Sequence, residues 1–244
     1  MSAAAWALKM LTPAWETGFN SWTVPQAQSG MPSHGSAAGS TAGVFGRGTC
    51  LLRLLMTKKM IITKTPFRIS FFGGGTDYPI WYNKHGGKTI SSTIDKYSYI
   101  VLKKLPNFFD YKFRIRYFYR EEVKYTKQIK HPTIRNTFNY FKIKSGLDLL
   151  HFSDLPSMSG MASSSAFTVG LIKAISESNL SKKMKNSEIS NLARYIEQQL
   201  NNENIGSQDQ IATTYGGFNI IKYSPKESIK IKKINQKKIL KKIQ

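Results

Sequence analysis

A short loop of small residues carries the clearest chemistry in this sequence. Residues 156–166 read Pro-Ser-Met-Ser-Gly-Met-Ala-Ser-Ser-Ser-Ala and run directly into an apolar stretch, 167–175. The first backbone N–H groups of a helix have no partner inside the helix, and the helix dipole favours an anion at that end. Small side chains also let a phosphate approach the backbone closely, so the pattern favours phosphate binding. An ordinary helix capped by serine is the alternative.

Three further clusters carry charges that phosphoryl chemistry needs. Arg68 lies in a strand-like stretch ahead of residues 73–77, Gly-Gly-Gly-Thr-Asp, which is either a flexible turn or a turn that projects a carboxylate into a cleft. Glu197 falls on the polar side of an amphipathic helix, where a lone glutamate is normally solvated. Asp209 stands between two glutamines at the edge of a loop. None of these clusters identifies a function by itself.

Taken in order, these segments resemble the kinase superfamily of galactokinase, homoserine kinase, mevalonate kinase and phosphomevalonate kinase (GHMP kinases). Residues 156–165 resemble its central Pro-x-x-x-Gly-Leu-x-Ser-Ser-Ser/Ala motif. Residues 65–79 and 206–219 are most similar to the branch of D-glycero-D-manno-heptose 7-phosphate kinases. The resemblance covers about residues 60–223. It implies a cytoplasmic enzyme of carbohydrate metabolism that uses ATP and Mg²⁺ to phosphorylate a sugar or a sugar phosphate.

The resemblance also implies a role for each motif position. Asp209 would be the general base or the orienting group for the sugar hydroxyl, and Arg68 would pair with it and steady the migrating phosphoryl group. Ser164 would hold Mg²⁺ together with Glu197, which lies twelve residues before Asp209. The sugar would contact Gly75, Thr76, Asp77 and Tyr78. The ATP phosphates would contact Pro156, Ser159, Gly160, Met161, Ala162, Ser163, Ser164 and Ser165.

Two departures from the family pattern qualify these expectations. Met158 and Ala162 stand where many members have glycine, and Met158 fits only if its side chain points away from the nucleotide. A second domain with a Gly-rich motif follows in this family and completes the substrate site. We therefore expect an N-terminal ATP-binding domain alone, with the C-terminal domain truncated. A catalytically inactive nucleotide-binding remnant is the alternative to an active kinase.

Composition excludes several other classes of protein. The 244 residues are 41% apolar and carry a formal net charge of +22. A basic nucleic-acid-binding protein is the third hypothesis, after an active kinase and a nucleotide-binding remnant. It is disfavoured because the lysines are dispersed and the sequence has neither an arginine-rich arm nor the aromatic pattern of an RNA-binding sheet. Cys50 is the only cysteine, which excludes an internal disulfide and a cysteine-based metal site. No apolar run approaches the roughly 20 residues of a membrane span, so we expect no membrane partner.

A break in composition near residue 56 divides the chain. Residues 1–55 are rich in Ala, Gly, Ser and Thr, and they favour a disordered extension, a wrongly assigned start or a targeting segment. We expect the kinase domain over residues 60–224. Residues 225–244 read as a basic tail that leads toward the missing domain.

Periodicity predicts the elements that must position the motifs. Strands are expected over 61–65, 68–72 (separated at Pro66), 88–105, 113–119, 147–155 and 215–223. Helices are expected from Pro132 to Gly146, over 164–178, and over 187–202 with Ile189, Leu192, Ile196 and Leu200 facing inward. This order predicts an α+β domain. The resemblance implies the two-layer GHMP-kinase N-terminal domain, with a ribosomal-protein-like βαβ fold.

Overall fold

A computed structural model describes residues 60–144, 146–178, 180–225 and 228–234. The segment 1–55, predicted to be an extension, lies outside the described residues. The strands are β1 (Ile61–Phe72), β2 (Gly87–Lys104), β3 (Phe113–Arg116), β4 (Arg120–Val123), β5 (Leu147–Ser153), β6 (Phe218–Ser224) and β7 (Ser228–Lys233). The helices are α1 (Pro79–His85), α2 (Pro132–Tyr140), α3 (Ser163–Glu177), α4 (Asn186–Tyr195) and α5 (Gln208–Tyr215), with a 3₁₀ turn at Thr126–Gln128 and a π-helical turn at Ile196–Leu200.

The strands form one mixed sheet built around the long strand β2. Strand β1 runs antiparallel along most of β2, whereas β6 pairs with the first half of β2 and β5 with its second half. Strand β3 lies parallel to β5 and antiparallel to β4, and β7 pairs with β6. Helices pack on this sheet, which confirms the predicted α+β class.

Strand β1 continues through Pro66, so the predicted break at that residue is wrong. Pro66 pairs with Tyr97 of β2, and the register of the ladder shifts between Pro66 and Arg68. Proline is accepted at sheet edges and at bulges, where its missing N–H is not needed. Strand β1 meets both conditions, because β2 is its only partner strand among the described residues. The irregularity falls immediately before Arg68.

Helix α3 is fixed tightly to the sheet. Phe167, Leu171 and Ile175 are buried in one cluster with side chains from β2 and β5, and each such burial contributes about 1.5–3 kcal/mol. Gly170 lets the helix approach β1, since a Cβ at this position would lie 2.9 Å from Thr65 Oγ1. This packing fixes where the first turn of α3 stands.

Helix α2 begins as predicted and ends early. Pro132 occupies its first turn, as expected from the preset φ of proline. The helix ends at Tyr140, not near Gly146, and Lys142 follows with a φ of 50°. A left-handed residue cannot continue a right-handed helix, so the chain turns here toward β5.

The start of the predicted tail belongs to the sheet. Residues Ser228–Lys233 form β7, in which Ile229 and Ile231 pack against the cluster around Tyr223. Residues 235–244 lie outside the described residues. No helix in the described ranges has the length and apolar character needed to cross a membrane.

Candidate active site

The loop between β5 and α3 contains three residues in the left-handed region. The φ angles are 62° at Met158, 71° at Gly160 and 65° at Ala162. Glycine adopts this conformation freely, whereas other L-residues lose about 1–2 kcal/mol. Met158 and Ala162 therefore keep a glycine-type backbone at the two positions where the sequence departs from the family pattern. The Met158 side chain is 99% exposed and does not pack in the core.

The N-terminus of α3 opens onto this loop. Ser163, Ser164 and Ser165 are the first three residues of the helix, and Ala162 precedes them without a side-chain cap. The first turn contains no acidic residue. Because no side chain of the described residues caps them, the first N–H groups of α3 are available to an external acceptor. The helix dipole adds partial positive charge at this end.

Arg68 connects this loop to Asp209. Its Nε and Nη2 atoms donate to the two carboxylate oxygens of Asp209 at 2.8 and 2.6 Å. Its Nη1 atom donates to the carbonyl oxygen of Gly160 at 2.8 Å, and its backbone N–H donates to Met161 O at 3.2 Å. The planar guanidinium is suited to a two-pronged contact of this kind. One side chain thus sets the distance between the loop and the first turn of α5.

A cleft of about 430 Å³ gathers most of the predicted site residues. They are Arg68, Gly75, Asp77, Tyr78, Gly160, Ala162, Ser163, Ser164, Ser165 and Asp209. Five predicted residues are not part of its wall: Thr76, Pro156, Ser159, Met161 and Glu197. The wall also contains residues that sequence reasoning missed: Ser70, Gly74, Met158, Glu203, Ile205, Gly206, Gln208 and Gln210. Segments far apart in the chain therefore converge on one cleft.

Asp77 is held by backbone N–H groups. Its Oδ1 accepts a hydrogen bond from Gly75 N, and its Oδ2 accepts one from Gln208 N, each at 3.1 Å. The residue is only 6% exposed. Gly206 makes this contact possible, because a Cβ there would lie 1.8 Å from Asp77 Oδ2. The carboxylate thus occupies the N-terminus of α5, the helix that carries Asp209 in its first turn.

Glu197 lies in the π-helical turn at the end of α4 and is completely buried, with 0% exposure. The predicted placement of Glu197 on the polar side of the helix is therefore wrong. Its carboxylate accepts hydrogen bonds from Ser165 Oγ at 2.8 Å, and from Thr168 Oγ1 and Gln210 Nε2 at 2.5 Å each. Burial raises the pKa of Glu197 above its usual value, and the three hydrogen bonds act in the opposite direction.

The neighbouring serines have different environments. Ser164, predicted to share Mg²⁺ with Glu197, is exposed, whereas Ser165 is buried and contacts the Glu197 carboxylate. Among the described residues, no hydrogen bond joins Ser164 to Glu197. Ser165 thus lines the cleft together with Ser164 and also contacts the Glu197 carboxylate.

Comparison with known proteins shows which family this fold resembles. Residues 125–217 match the family of GHMP kinases N terminal domain. The chain contains a GHMP kinase N-terminal domain. This finding confirms the resemblance that the sequence motifs indicate. The loop, the first turn of α3 and Asp209 all fall inside the matched range.

Relatives of the GHMP domain include a curated protein of Campylobacter jejuni, D-glycero-alpha-D-manno-heptose 7-phosphate kinase. It is 33% identical over 174 residues, which cover 68% of this chain and 51% of the relative. The chain thus spans about half the length of that relative.

Solved structures agree with the fold of the GHMP domain. A D-glycero-D-manno-heptose 1-phosphate kinase from Bacteroides thetaiotaomicron has a TM-score of 0.67 and 22% identity, over 75% of this chain and 62% of that one. A putative sugar kinase from Campylobacter jejuni has a TM-score of 0.58 and 28% identity, over 73% and 57% of the two chains. These neighbours confirm the predicted fold.

The oxygen atoms around Glu197 fit a hard divalent cation. Mg²⁺ prefers oxygen ligands and takes only one or two from the protein when nucleotide phosphates supply others. The GHMP domain offers a carboxylate, serine hydroxyls and the amide oxygen of Gln210, which is buried and has no hydrogen-bond partner among the described residues. The same part of the chain contains no cluster of three or more His, Cys, Asp or Glu that could hold a metal alone. The magnesium roles of Ser164 and Glu197 stay predictions.

Proposed function

We propose that this domain binds ATP with Mg²⁺ and transfers the terminal phosphoryl group to a hydroxyl of a sugar or sugar phosphate. The observation that carries the proposal is the Arg68–Asp209 pair, which shares one cleft with the uncapped N-terminus of α3. An anion site and a carboxylate that can accept a hydroxyl proton are the two parts that phosphoryl transfer requires. The name of the Campylobacter jejuni relative makes a heptose 7-phosphate the first acceptor to test.

The loop and α3 hold the donor phosphates in this proposal. The N–H groups of Ser163, Ser164 and Ser165 stand at the positive end of a 15-residue helix. Oriented backbone donors suit the spread of negative charge in a loose phosphoryl-transfer transition state. When bound, Mg²⁺ would supply the neutralising charge on the phosphate oxygens, with Glu197 and the serine hydroxyls at its protein side.

Asp209 receives the acceptor hydroxyl. Arg68 occupies one hydrogen-bonding position on each carboxylate oxygen, and a carboxylate offers about four such positions. The Asp209 side chain is 29% exposed, so the remaining positions are within reach of a ligand in the cleft. A carboxylate fixed by a two-pronged arginine has little freedom to rotate, which favours alignment of the attacking oxygen.

The predicted sugar-binding residues divide into two groups. Asp77 and Thr76 already bind the protein, the first through two backbone N–H groups and the second through Gly73 O at 2.7 Å. Tyr78 and the backbone of Gly75 line the cleft. We therefore propose that Tyr78 and Gly75 meet the acceptor directly, and that Asp77 does so only through lone pairs left free by the backbone contacts.

An aromatic turn supplies a surface for the nucleotide base. Strands β3 and β5 are parallel, so Tyr117–Tyr119 follow β3 at the end of the sheet where the phosphate loop follows β5. Tyr117 stacks edge-on against His131 at 4.9 Å, and His131 lies 5.0 Å from Phe167 of α3. Phe118 is 88% exposed. Stacking on such a ring stabilises a base by about 1–3 kcal/mol.

The decisive experiment measures ADP formation by a full-length version of the protein with ATP, Mg²⁺ and a panel of sugars that includes heptose 7-phosphate. We expect ADP only with a suitable acceptor. The Asp209→Ala variant should lose transfer by about 100- to 10,000-fold, the range of general-base contributions. Its ATP affinity, measured by calorimetry, should stay near that of the parent chain, since Asp209 repels phosphate and does not bind it.

Asp110→Ala is the matched control, because it removes one exposed carboxylate outside the cleft. Near-normal turnover in Asp209→Ala would contradict the role of Asp209. ATP binding without transfer to any acceptor would favour the nucleotide-binding remnant. Retention of RNA that weakens steeply with salt, without ATP binding, would favour a nucleic-acid-binding protein.

A further inference from the structure

Gln210 is a buried polar residue to which the predicted site gives no role. It follows Asp209 in α5 and is 0% exposed. Its Nε2 atom donates to Glu197 Oε2, whereas its Oε1 atom is buried and has no partner among the described residues. A buried amide oxygen without a donor is unfavourable, and such atoms are rare in folded proteins. The unpaired oxygen therefore points to a donor that arrives with a ligand.

The position of Gln210 relative to Glu197 indicates which ligand this is. Ser165 and Gln210 both line the cleft, whereas Glu197 does not. Both residues donate hydrogen bonds to Oε2 of Glu197. The buried carboxylate thus contacts two residues of the cleft wall without lining the cleft itself. Its negative charge attracts a cation to this wall of the cleft.

We propose that Gln210 is a positioning residue of a divalent-cation site: its amide N–H holds the Glu197 carboxylate, and its unpaired carbonyl oxygen accepts a hydrogen bond from a water molecule of the bound cation. This inference rests on the proposed function. Mg²⁺ loses its waters reluctantly and usually keeps several when it binds a protein. Each such water needs an acceptor, and Gln210 Oε1 is a free acceptor beside the carboxylate.

The same residue couples the cation to the helix of the general base. Asp209 and Gln210 are consecutive in α5, and Glu197 belongs to the turn after α4. A cation that fixes Glu197 and Gln210 therefore also fixes the first turn of α5. We expect a cation to order both carboxylates together, although Arg68 contacts only Asp209.

The test measures Mn²⁺ binding to the full chain in the presence of a non-hydrolysable ATP analogue, by electron paramagnetic resonance. Gln210→Leu removes both polar contacts and keeps the side-chain size. We expect it to bind Mn²⁺ about 10- to 100-fold more weakly, the usual effect of removing a residue that supports metal ligands. Nucleotide affinity without metal should change less than twofold.

Gln208→Leu is the matched control. Gln208 flanks Asp209 on the other side, is 3% exposed and lines the same cleft. Its Oε1 accepts a hydrogen bond from Ser70 at 3.0 Å, and among the described residues its side chain makes no hydrogen bond to Glu197. We expect Gln208→Leu to bind Mn²⁺ as the parent chain does. An equal loss in both leucine variants would overturn the inference, since it would show a general effect on α5.

Further outcomes separate this inference from the proposed function. If the parent chain binds no nucleotide, the proposed function fails and the inference fails with it. If the parent binds the Mn²⁺–nucleotide complex and Gln210→Leu binds it equally well, only the inference fails. Gln210→Met, a more flexible apolar replacement, guards against misfolding. If both Gln210 variants also lose metal-free nucleotide binding, Gln210 serves the fold and not the cation, and the inference is overturned.

Discussion

Two helix N-termini meet in the same cleft, one without a capping side chain and the other occupied by a carboxylate. The N-terminus of α3 has three serines, no acidic residue in its first turn and no side-chain cap. The N-terminus of α5 is occupied by the Asp77 carboxylate, which accepts a hydrogen bond from Gln208 N. Both ends carry the same partial positive charge. One has its anion built into the protein, and the other leaves its donors free.

This difference is consistent with the proposed function. A helix end filled by a carboxylate of the protein is stable and rigid, which suits the proposed role of α5 in holding Asp209. A helix end without a cap is less stable and open to an anion, which suits the proposed role of α3 in binding phosphate. The packing of α3 on the sheet compensates for the missing cap. The comparison predicts that a carboxylate added at the N-terminus of α3 raises stability and weakens phosphate binding. Displacing the carboxylate from the N-terminus of α5 should lower stability.

The largest expected effect comes from placing a carboxylate at the uncapped N-terminus of α3. Ser164→Asp places a carboxylate in the first turn of α3, where it should stabilise the helix by about 0.3–1 kcal/mol. The same charge repels phosphate, by roughly 4 kcal/mol for unit charges 4 Å apart at an effective dielectric constant of 20. We expect nucleotide affinity, measured by calorimetry without Mg²⁺, to fall at least ~100-fold while the melting temperature rises.

Ser164→Asn has nearly the same shape without the charge and serves as its control. Unchanged nucleotide affinity in Ser164→Asp would show that phosphate binds elsewhere. An equal loss in the Asn variant would assign the effect to size.

The next largest effect comes from displacing the Asp77 carboxylate from the N-terminus of α5. Gly206→Ala should displace the Asp77 carboxylate, because the new Cβ would lie 1.8 Å from Oδ2. The N–H groups of Gly75 and Gln208 then lose their acceptor, at a cost of about 2 kcal/mol in the free energy of unfolding. Urea denaturation measures this loss. Gly74→Ala is the control, since no atom lies within 4 Å of its Cβ position; similar losses in both variants would contradict the role of Asp77.

The smallest effect concerns the loop that leads into the open end. Met158→Gly removes a left-handed strain of about 1–2 kcal/mol and adds a glycine entropy cost of about 0.5–1 kcal/mol. We expect a net gain in stability of at most ~1.5 kcal/mol, measured by thermal unfolding. Ser157→Gly, at a neighbouring position without positive φ, should lose stability instead. A loss of stability in Met158→Gly would mean that other contacts already relieve the backbone strain at Met158.

Much of the fold follows from local patterns in the sequence. The β-branched residues of the stretch 61–65 predict the start of β1, and the apolar stretch after Ser165 predicts α3. Pro132 predicts the start of α2. The end of α2 and the continuity of β1 through Pro66 are not predictable in this way. Both depend on neighbouring strands, which decide whether a residue that breaks local regularity is tolerated.

The sequence by itself determined which residues are candidates for the chemistry of the cleft. The loop at 156–166, Arg68, Asp77 and Asp209 are predicted from motifs that resemble those of the GHMP kinases, and their roles stay predictions. Their convergence in one cleft is consistent with that reading. The pairing of Arg68 with Asp209, expected from the family resemblance, is present across 141 positions of the chain.

Only the tertiary structure decided which carboxylates are buried and what they contact. A helical pattern with 3.6 residues per turn predicts Leu200 inside and Glu197 outside, but Leu200 is 38% exposed and Glu197 is 0% exposed. The π-helical turn at Ile196–Leu200 takes up one extra residue, which rotates the following side chains by about 100°. Such a turn is stabilised by contacts with α3 and α5, through Ser165, Thr168 and Gln210. Those contacts join residues far apart in sequence, so no local pattern contains them.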